Sequence, residues 1–417
     1  MALKYRRSFR WALMVIGVTS IGAIASLFLL QQSIPQAGAP AAEQRLFNDA
    51  YAGVVARVSE ELNGYRASLV APSLSVAAGI DGELVWAAAS GYSDIETQTP
   101  ATPDTIYPIV RVSKPVTAAL AALLWQEGQM DIDADLRRYV PDFPAKRYPI
   151  TLRQALSHQA GIRHYGFSLS LPLFSESALN QEFAGTAESL SLFADDPLLF
   201  EPDTGFEYST FGYTLVGAAI EQVTNLSYAD ALTRHLLGPL GMRRTTLDRP
   251  DQGAALRATD YVSIFSKKAV LPAPATNSSY KWAGAGLAST PTDLVLLGNA
   301  LLGSALLDEP TRTTVFTART LRSGEINPQH YGLGWRIGGL ALTDERTGEE
   351  QIIPLWHHGG TRAGSTAILM LVPEEDLVVA MAMNTVGRGG SGALASVAAK
   401  VARAFIGLEP AGRTAAQ

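Results

Sequence analysis

Residues that could perform chemistry lie in four short stretches of this 417-residue sequence. The first stretch places an arginine, a serine and a lysine within four residues, and the other three carry tyrosine or histidine side chains. Side chains of these types transfer protons, bind anions or ligate metal ions. The stretches are residues 109–117, 150–165, 206–221 and 357–360.

Arg111 and Lys114 are three residues apart at the start of a predicted helix, and this spacing places both side chains on one helix face. Ser113 lies two residues after Arg111, about 200° around a helix of 3.6 residues per turn. Three residues after Ser113 the sequence has Val116, which cannot act as a base. The first stretch therefore predicts one shared face for Arg111 and Lys114.

The histidines do not form a recognisable metal-binding pattern. His158 and His164 lack a partner at the i, i+4 spacing of a zinc-binding helix, and we expect both to have a structural role. His357 and His358 are adjacent on a predicted strand, so only one of them can face a cleft. The sequence has no cysteine, which excludes disulfides, a thiolate nucleophile and a cysteine-based zinc site.

The net charge of -6 is not accompanied by a basic tail or a long run of like charges. Nucleic-acid binding depends on clustered Lys and Arg side chains that neutralise phosphates. Nucleic acid is therefore not expected as a partner, and the oligomeric state stays open.

Strands at both ends of the domain, with helices between them, would position the four stretches. Two apolar runs, 74–78 and 84–88, flank Asp81-Gly82, which is a strong hairpin signal. We therefore predict an α+β fold, with an antiparallel sheet from both chain ends flanked by helices, an inserted mainly helical subdomain, and a ligand cleft between them. Further strands are predicted at 333–337, 367–372 and 377–384, and helices at 43–69, 115–130, 214–224, 291–302 and 391–406.

The amino terminus predicts a membrane anchor. Residues 11–30 carry no charge and are long enough to span a bilayer as a helix. The basic residues before them, Lys4, Arg6, Arg7 and Arg10, predict that the start stays in the cytoplasm and that the domain faces the periplasm or another extracytoplasmic side. Arg6-Arg7 also resembles a twin-arginine export signal, so a signal cleaved near Ala39 is the alternative.

The predicted organisation has three segments. Residues 1–42 form the cytoplasmic stub, the anchor and a linker rich in Gln, Pro, Ala and Gly, and residues 411–417 form a tail. A single domain occupies 43–410. Its sheet part comprises about 43–110 and 330–410, and its helical part about 111–330.

The four stretches together resemble the serine β-lactamase and penicillin-binding-protein superfamily, most closely its LACTB-type branch. Residues 109–117 correspond to the family's Ser-x-Ser-Lys segment, and ITLRQALSHQAGIRHY corresponds to its Leu-Leu-x-His-x-Ser-Gly-Ile segment. EYSTFGY stands where the family has Tyr-Ser-Asn or Tyr-Ser-Thr, and HHGG stands in place of Lys-Thr-Gly or His-Thr-Gly. The motifs occur in family order over roughly residues 45–406, which makes chance a poor explanation.

The resemblance implies a site for nucleophilic acyl transfer to peptide, amide or ester bonds. By position, Lys114 is the helix lysine, Tyr208 the proton-shuttle tyrosine, and His357 takes the place of the strand lysine. Thr210 takes the asparagine place of the third motif, and Gly360, next to Gly359, is the expected oxyanion donor together with the N–H of residue 111. This chemistry needs only side chains and backbone donors, so no metal or organic cofactor is expected.

The sequence departs from the family at the nucleophile itself. Arg111 stands where the family has the attacking serine, and a guanidinium has no nucleophilic oxygen and stays protonated. Ser113 is a poor substitute because it points to a different side of the helix. The serine-acyl route is therefore closed in this chain.

Three interpretations of Arg111 remain open. Beside Lys114, near His357 and at a helix N-terminus, it could favour an anion such as a carboxylate and lower the pKa of the lysine. It could instead turn out of the cleft or pair with a nearby acid. A single-base codon change, natural or engineered, would also account for it.

Two classes of function follow from these interpretations. One is a hydrolase with an unusual nucleophile, acting on peptides, peptidoglycan fragments or small amides and esters. The other is a catalytically silent, membrane-tethered binding or scaffold protein for carboxylate-bearing peptides. The family resemblance favours the first class and Arg111 favours the second.

Overall fold

A computed structural model describes residues 32–33, 40–166, 176, 179–249, 255–263, 269–343 and 348–406. The predicted membrane segment 11–30 and the tail 411–417 lie outside these residues. Within the described ranges, no helix is both long enough and apolar enough to cross a membrane.

One antiparallel sheet contains strands from both ends of the domain, as the sequence predicted. Its strands are β2 Glu43–Leu46, β3 Ser73–Ile80, β4 Glu83–Asp94, β5 Thr99–Pro100, β11 Arg336–Thr343, β12 Glu350–Arg362, β13 Ser365–Val372 and β14 Leu377–Met383. They run in the order β11-β12-β13-β14-β3-β4-β2, and β5 pairs with β4. The short strands outside this sheet are β1 Gln32–Ser33, β6 Tyr107–Pro108, β7 Thr246–Leu247, β8 Tyr261–Val262, β9 Ala269–Pro272 and β10 Leu287–Ser289.

Helices cover both faces of the sheet. On β3, Val76 and Ala78 belong to one buried core and Ala77 belongs to the other, because successive strand residues point to opposite faces. The helices are α1 Ala52–Leu69, α2 Ser113–Gln126, α3 Leu152–Leu156, α4 Thr210–Thr224, α5 Tyr228–Leu232, α6 Gly238–Leu240, α7 Trp282–Ala285, α8 Pro291–Leu302, α9 Glu309–Val315 and α10 Gly390–Ile406. The core of Val76 includes residues of α1 and α10, and the core of Ala77 includes residues of α2 and α8.

Local signals in the sequence explain where several elements begin and end. Asp81 and Gly82 both have positive φ, at 53° and 79°, which is the geometry of the tight turn between β3 and β4. Thr151 caps α3 in a reciprocal capping box with Gln154. Thr290 caps α8 by accepting a hydrogen bond from the N–H of Asp293, and Pro291 occupies the first turn.

Besides shifts of up to four residues at helix ends, the structure differs from the predicted elements in two strands. Residues 43–46 form the edge strand β2 instead of the start of a helix, and α1 begins only at Ala52. The strand predicted at 333–337 begins at Arg336 and continues to Thr343. Gly334 explains the late start, since its φ of 91° does not fit an extended strand.

Candidate active site

Arg111 sits at the entry to helix α2, inside the short 3-10 turn Val110–Val112. The preceding residue, Val110, has a φ of 50°, in a left-handed region that β-branched residues rarely occupy. Such strain persists only where the surrounding structure imposes it, and it is frequent at functional sites. The backbone at this point therefore has the character of an active-site turn although the side chain is an arginine.

The Arg111 side chain turns towards strand β12. Its Nη1 donates a hydrogen bond to the carbonyl oxygen of Thr361 at 2.5 Å. Arg111 also lines a cavity of about 180 Å³, together with Tyr165, Lys281 and Arg362. Within the part of the chain that the structure describes, Arg111 forms no ion pair with an acidic side chain.

Lys114 is fully buried one turn after Arg111. Its Nζ donates to the carbonyl oxygen of Gly284 at 2.8 Å and to Oγ1 of Thr210 at 3.2 Å, and it lies 4.8 Å from the centre of the Tyr208 ring. Burial lowers the pKa of Lys114 well below its usual value, and the positive charges of Arg111 and Arg336 lower it further. The structure thus brings Lys114, Thr210 and Tyr208 together.

Tyr208 is held by the first residues of helix α4 and by two histidines. Ser209 caps the helix by accepting a hydrogen bond from the N–H of Gly212 at 3.0 Å. Nδ1 of His158 accepts from the N–H of Ser209 at 3.1 Å, and Nδ1 of His164 accepts from the N–H of Thr210 at 3.2 Å.

The two histidines therefore need an unprotonated Nδ1. Burial lowers the pKa of His158 well below its usual value and that of His164 to about 3, with the charge of Lys114 as the next cause. Burial also raises the pKa of the Tyr208 hydroxyl. Both histidines position the turn that carries Tyr208, which matches the structural role expected for them.

At the strand motif the structure places His358, and not His357, beside Tyr208. His358 pairs across the sheet with Leu369, which belongs to the core on the α2 side, whereas His357 pairs with Met370 of the opposite core. The Nε2 atom of His358 lies 2.9 Å from the Tyr331 hydroxyl and 3.4 Å from the Tyr208 hydroxyl. This departs from the expectation that His357 faces the cleft, and it follows from the alternation of side chains along a strand.

His358 has a defined tautomer. Its Nδ1 lies 3.1 Å from the carbonyl oxygen of Gly359, which can only accept, so Nδ1 carries the proton and Nε2 accepts from the Tyr331 hydroxyl. Burial, followed by the charge of Arg336, lowers the pKa of His358 well below its usual value. The imidazole is neutral and joins Tyr208 to the strand.

Gly360 and Gly359 also lie on opposite faces. A Cβ at Gly360 would lie 2.4 Å from the backbone nitrogen of Arg111, so only glycine allows the strand to approach the helix start this closely. A Cβ at Gly359 would instead meet Ile368 and Ser391, away from the cleft. Gly360 therefore stays a candidate for the oxyanion site, and Gly359 packs against α10.

Ser113 is fully buried, and its hydroxyl both donates and accepts a hydrogen bond. Its Oγ donates to the carbonyl oxygen of Val110 at 2.6 Å and accepts from the N–H of Leu287 at 3.1 Å. These bonds fix the start of α2 against β10, and they leave Ser113 outside the cavity that Arg111 lines.

Two further cations line that cavity and were not singled out in the sequence. Burial, followed by the charge of Arg362, lowers the pKa of Lys281 to about 7. Arg362 forms ion pairs with Asp260 at 2.7 Å and with Asp248 at 3.1 Å. Lys281 and Arg362 are about eighty positions apart in the sequence, so only the fold brings them together. Among the residues the structure describes, no group of three or more His, Asp or Glu side chains could hold a metal ion.

Known proteins of similar sequence and fold indicate the family of this chain. Residues 58–404 match the protein family described as Beta-lactamase. The chain is 31% identical over 294 residues to the human serine beta-lactamase-like protein LACTB, mitochondrial, covering 56% of this chain and 53% of that protein, and 27% identical over 393 residues to its mouse counterpart, covering 73% and 70%. The match therefore spans about half the length of the human relative.

Solved structures agree in fold. The octameric penicillin-binding protein homologue from Pyrococcus abyssi superposes with a TM-score of 0.67 at 23% identity, over 86% of this chain and 78% of that one. At that identity the likeness shows the fold alone.

Proposed function

The chain belongs to the β-lactamase family, and on that premise we propose that its cleft binds a carboxylate-bearing peptide, amide or ester without cleaving it by the family's serine route. The observation that carries the proposal is Arg111, which lines the cavity and, by the sequence resemblance, stands where the family has its nucleophile. A guanidinium cannot form an acyl-enzyme, but it recognises carboxylates well.

The charges around the cavity support an anionic ligand. Arg111 donates to a backbone carbonyl and has no acidic partner among the described residues. Lys281 and Arg362 line the same cavity, so three basic side chains, with that of Arg111, surround an entering ligand. A carboxylate entering the cavity would exchange the carbonyl contact of Arg111 for a charge-assisted pair.

The other groups of the family's chemistry support an ancestral acyl-transfer function. Burial lowers the pKa of Lys114 well below its usual value, Tyr208 lies over it, and His358 joins Tyr208 to the strand. A neutral lysine next to a restored serine could take its proton, as a general base must. We therefore expect that only the serine is missing.

The first test is covalent labelling of the purified full-length chain with a fluorescent penicillin and a fluorophosphonate probe. We expect no labelling of the wild type, labelling of Arg111→Ser, and no labelling of Arg111→Ser combined with Lys114→Ala. Labelling of the wild type would contradict the proposal, and the labelled residue would then identify the true nucleophile.

The second test is calorimetric titration with N-acetyl-alanine, a small amide that carries one carboxylate. Arg111→Gln should weaken binding by at least about tenfold, the loss expected for one charge-assisted hydrogen bond. Arg137→Gln is the matched control, because Arg137 is exposed and paired with Asp135. Equal affinity in the wild type and in Arg111→Gln would exclude Arg111 as the carboxylate contact.

The location proposed for the protein rests on its amino terminus. We infer that residues 11–30 anchor it in the inner membrane, with the domain on the periplasmic or extracytoplasmic side. A peptide or peptidoglycan-like ligand would then be met outside the cytoplasm.

A further inference from the structure

A second cavity lies on the helical part of the molecule and shares no lining residue with the cavity of Arg111. Its volume is about 350 Å³, and we call it the rear cavity. It is lined by residues of four separate segments, including Asp133, Arg153, Asp203, Arg319 and Arg322.

Four of the charges at the rear cavity and its edge are already paired. Arg153 holds Asp133 through two hydrogen bonds, at 2.5 Å and 2.7 Å. Arg322 holds Glu201 at 2.5 Å. These pairs are neutral as units, so they add little attraction for a charged ligand.

Arg319 and Asp203 remain, one of each sign. Asp203 accepts a hydrogen bond from Nε2 of Gln154 at 2.6 Å. Among the residues the structure describes, no ion pair joins Arg319 to Asp203, and the buried Nε of Arg319 has no hydrogen-bond partner. A buried guanidinium nitrogen without an acceptor is costly. Arg319 also lines the rear cavity, so a carboxylate there would add a charge-assisted contact to its guanidinium.

The walls of the rear cavity are fixed before any ligand enters. Asp203 has a φ of 65°, and its N–H donates to the carbonyl oxygen of Gln159 at 3.0 Å. The Nε2 of Gln159 in turn donates to the carbonyl oxygen of Thr320, the neighbour of Arg319, at 3.0 Å. Gln159 therefore ties the segment of Asp203, through its backbone carbonyl, to the segment of Arg319, through its side chain, as expected of a preformed ligand site.

We propose that the rear cavity binds a small zwitterion of the α-amino-acid type. Its carboxylate pairs with Arg319, and its ammonium pairs with Asp203. A ligand with only one charge would leave the other side chain unmatched. The volume of the rear cavity, about 350 Å³, accommodates an amino acid and exceeds the 180 Å³ of the cavity of Arg111.

The test is calorimetric titration of the full-length chain with L-alanine and D-alanine, beside acetate and methylammonium as single-charge probes. At least one alanine enantiomer should bind about tenfold or more tightly than either single-charge probe, because two charge-assisted contacts form instead of one. Absence of saturable binding by both enantiomers, or acetate binding as tightly as alanine, would overturn the proposal.

Variants assign the binding to the rear cavity. Arg319→Gln and Asp203→Asn should each weaken alanine binding by about tenfold or more, and asparagine tolerates the left-handed backbone at position 203. Arg137→Gln is the matched control, since Arg137 is exposed, paired with Asp135 and outside the lining of the rear cavity, and it should leave the affinity nearly unchanged. A loss in Arg137→Gln equal to that in Arg319→Gln would overturn the assignment.

One further variant separates this proposal from the proposed function. Arg111→Gln should leave alanine binding unchanged while it weakens the binding of N-acetyl-alanine. Loss of alanine binding in Arg111→Gln would place the amino acid in the cavity of Arg111 and would overturn the rear site. Thermal denaturation of each variant verifies that the chain is folded.

Discussion

At the level of single residues, Arg111 changes the charge of the site as well as its nucleophile. Burial is the largest cause of the lowered pKa of Lys114, and the charge of Arg111 comes second. Replacing Arg111 with serine therefore raises the pKa of Lys114 only in part, because the burial stays. We therefore expect Lys114 in Arg111→Ser to keep a lowered pKa beside the new hydroxyl.

The buried His164 predicts a pH dependence of stability. Its pKa is lowered to about 3, whereas an unfolded histidine titrates near pH 6.5. Between these values the unfolded chain binds a proton at this site that the folded chain does not, so the free energy of unfolding falls as the pH falls. One such group contributes a slope of about 1.4 kcal/mol per pH unit.

We predict that the free energy of unfolding of His164→Asn depends less steeply on pH than that of the wild type between roughly pH 4 and 6. The difference in slope should correspond to about one bound proton. The asparagine carbonyl keeps an acceptor for the N–H of Thr210 but does not titrate. Denaturant unfolding at a series of pH values measures both slopes. Parallel curves for the two proteins would show that His164 is not held neutral in the folded state.

Gly360 allows a second residue-scale prediction. A Cβ at this position would lie 2.4 Å from the backbone nitrogen of Arg111, and neither backbone can move without disturbing the sheet or helix α2. Gly360→Ala should therefore lower the free energy of unfolding by about 1–3 kcal/mol.

Gly392→Ala is the matched control for that substitution. A Cβ at Gly392 meets nothing within 4 Å, and the residue lies in helix α10. There, alanine should stabilise the protein by up to about 1 kcal/mol. If Gly360→Ala were as stable as the wild type in thermal or chemical denaturation, the close approach of β12 to α2 would be disproved.

The site residues show what a sequence can and cannot specify at this scale. The three-residue spacing of Arg111 and Lys114 and the order of the motifs were enough to place Lys114, Thr210 and Tyr208 in one predicted site. The choice between His357 and His358 needed the register of β12 against β13, since a shift of one residue exchanges the two faces. Lys281 had no motif, and only the folded chain shows that it lines the cavity.

At the level of elements, the first turn of helix α4 determines where Tyr208 points. Ser209 accepts from the N–H of Gly212, and its Oγ also donates to the carbonyl oxygen of Arg163 at 2.6 Å. The helix cap therefore joins α4 to the segment that carries His164.

Ser209→Ala should lower the free energy of unfolding by about 1–2 kcal/mol, the usual cost of a lost N-cap. In the Arg111→Ser background it should also slow labelling by the penicillin probe, because the turn that carries Tyr208 loosens. The control is Ser227→Ala, which removes the cap of helix α5, where Ser227 accepts from the N–H of Asp230. Ser227→Ala should lose a similar free energy of unfolding, but in the Arg111→Ser background the probe should label it at the unchanged rate. Equal labelling rates in the Ser209→Ala and Ser227→Ala variants would argue against this role for Ser209.

The elements themselves were predictable where local signals were strong. The Asp81-Gly82 turn identified the β3–β4 hairpin, and apolar periodicity identified helices α4 and α8 within a few residues. Strand β2 was missed because Glu43–Leu46 is short and exposed throughout, so it has no buried face that would produce an alternating pattern. Its position depends on pairing with β4, which is a tertiary interaction.

At the level of the whole molecule, a buried ionic cluster joins the sheet to the middle of the chain. Arg362 at the end of β12 contacts Asp248 and Asp260, and Arg257 contacts both acids, at 2.8 Å and 3.6 Å. Burial raises the pKa of Asp260 to about 6, although the two arginines oppose the shift. Removing one partner of such a cluster leaves a buried unpaired charge, so the cluster specifies how the two parts meet.

The membrane anchor is the last prediction, and it belongs to the whole chain. We expect the full-length protein to stay in the membrane fraction after alkaline extraction, with the domain accessible to protease from the extracytoplasmic side, because residues 11–30 carry no charge and follow four basic residues. Arg6→Lys combined with Arg7→Lys keeps the positive charge and removes the twin-arginine pair. Unchanged export of this double variant indicates an ordinary signal anchor, whereas retention in the cytoplasm would show that the pair is an export signal and that the anchor interpretation needs revision.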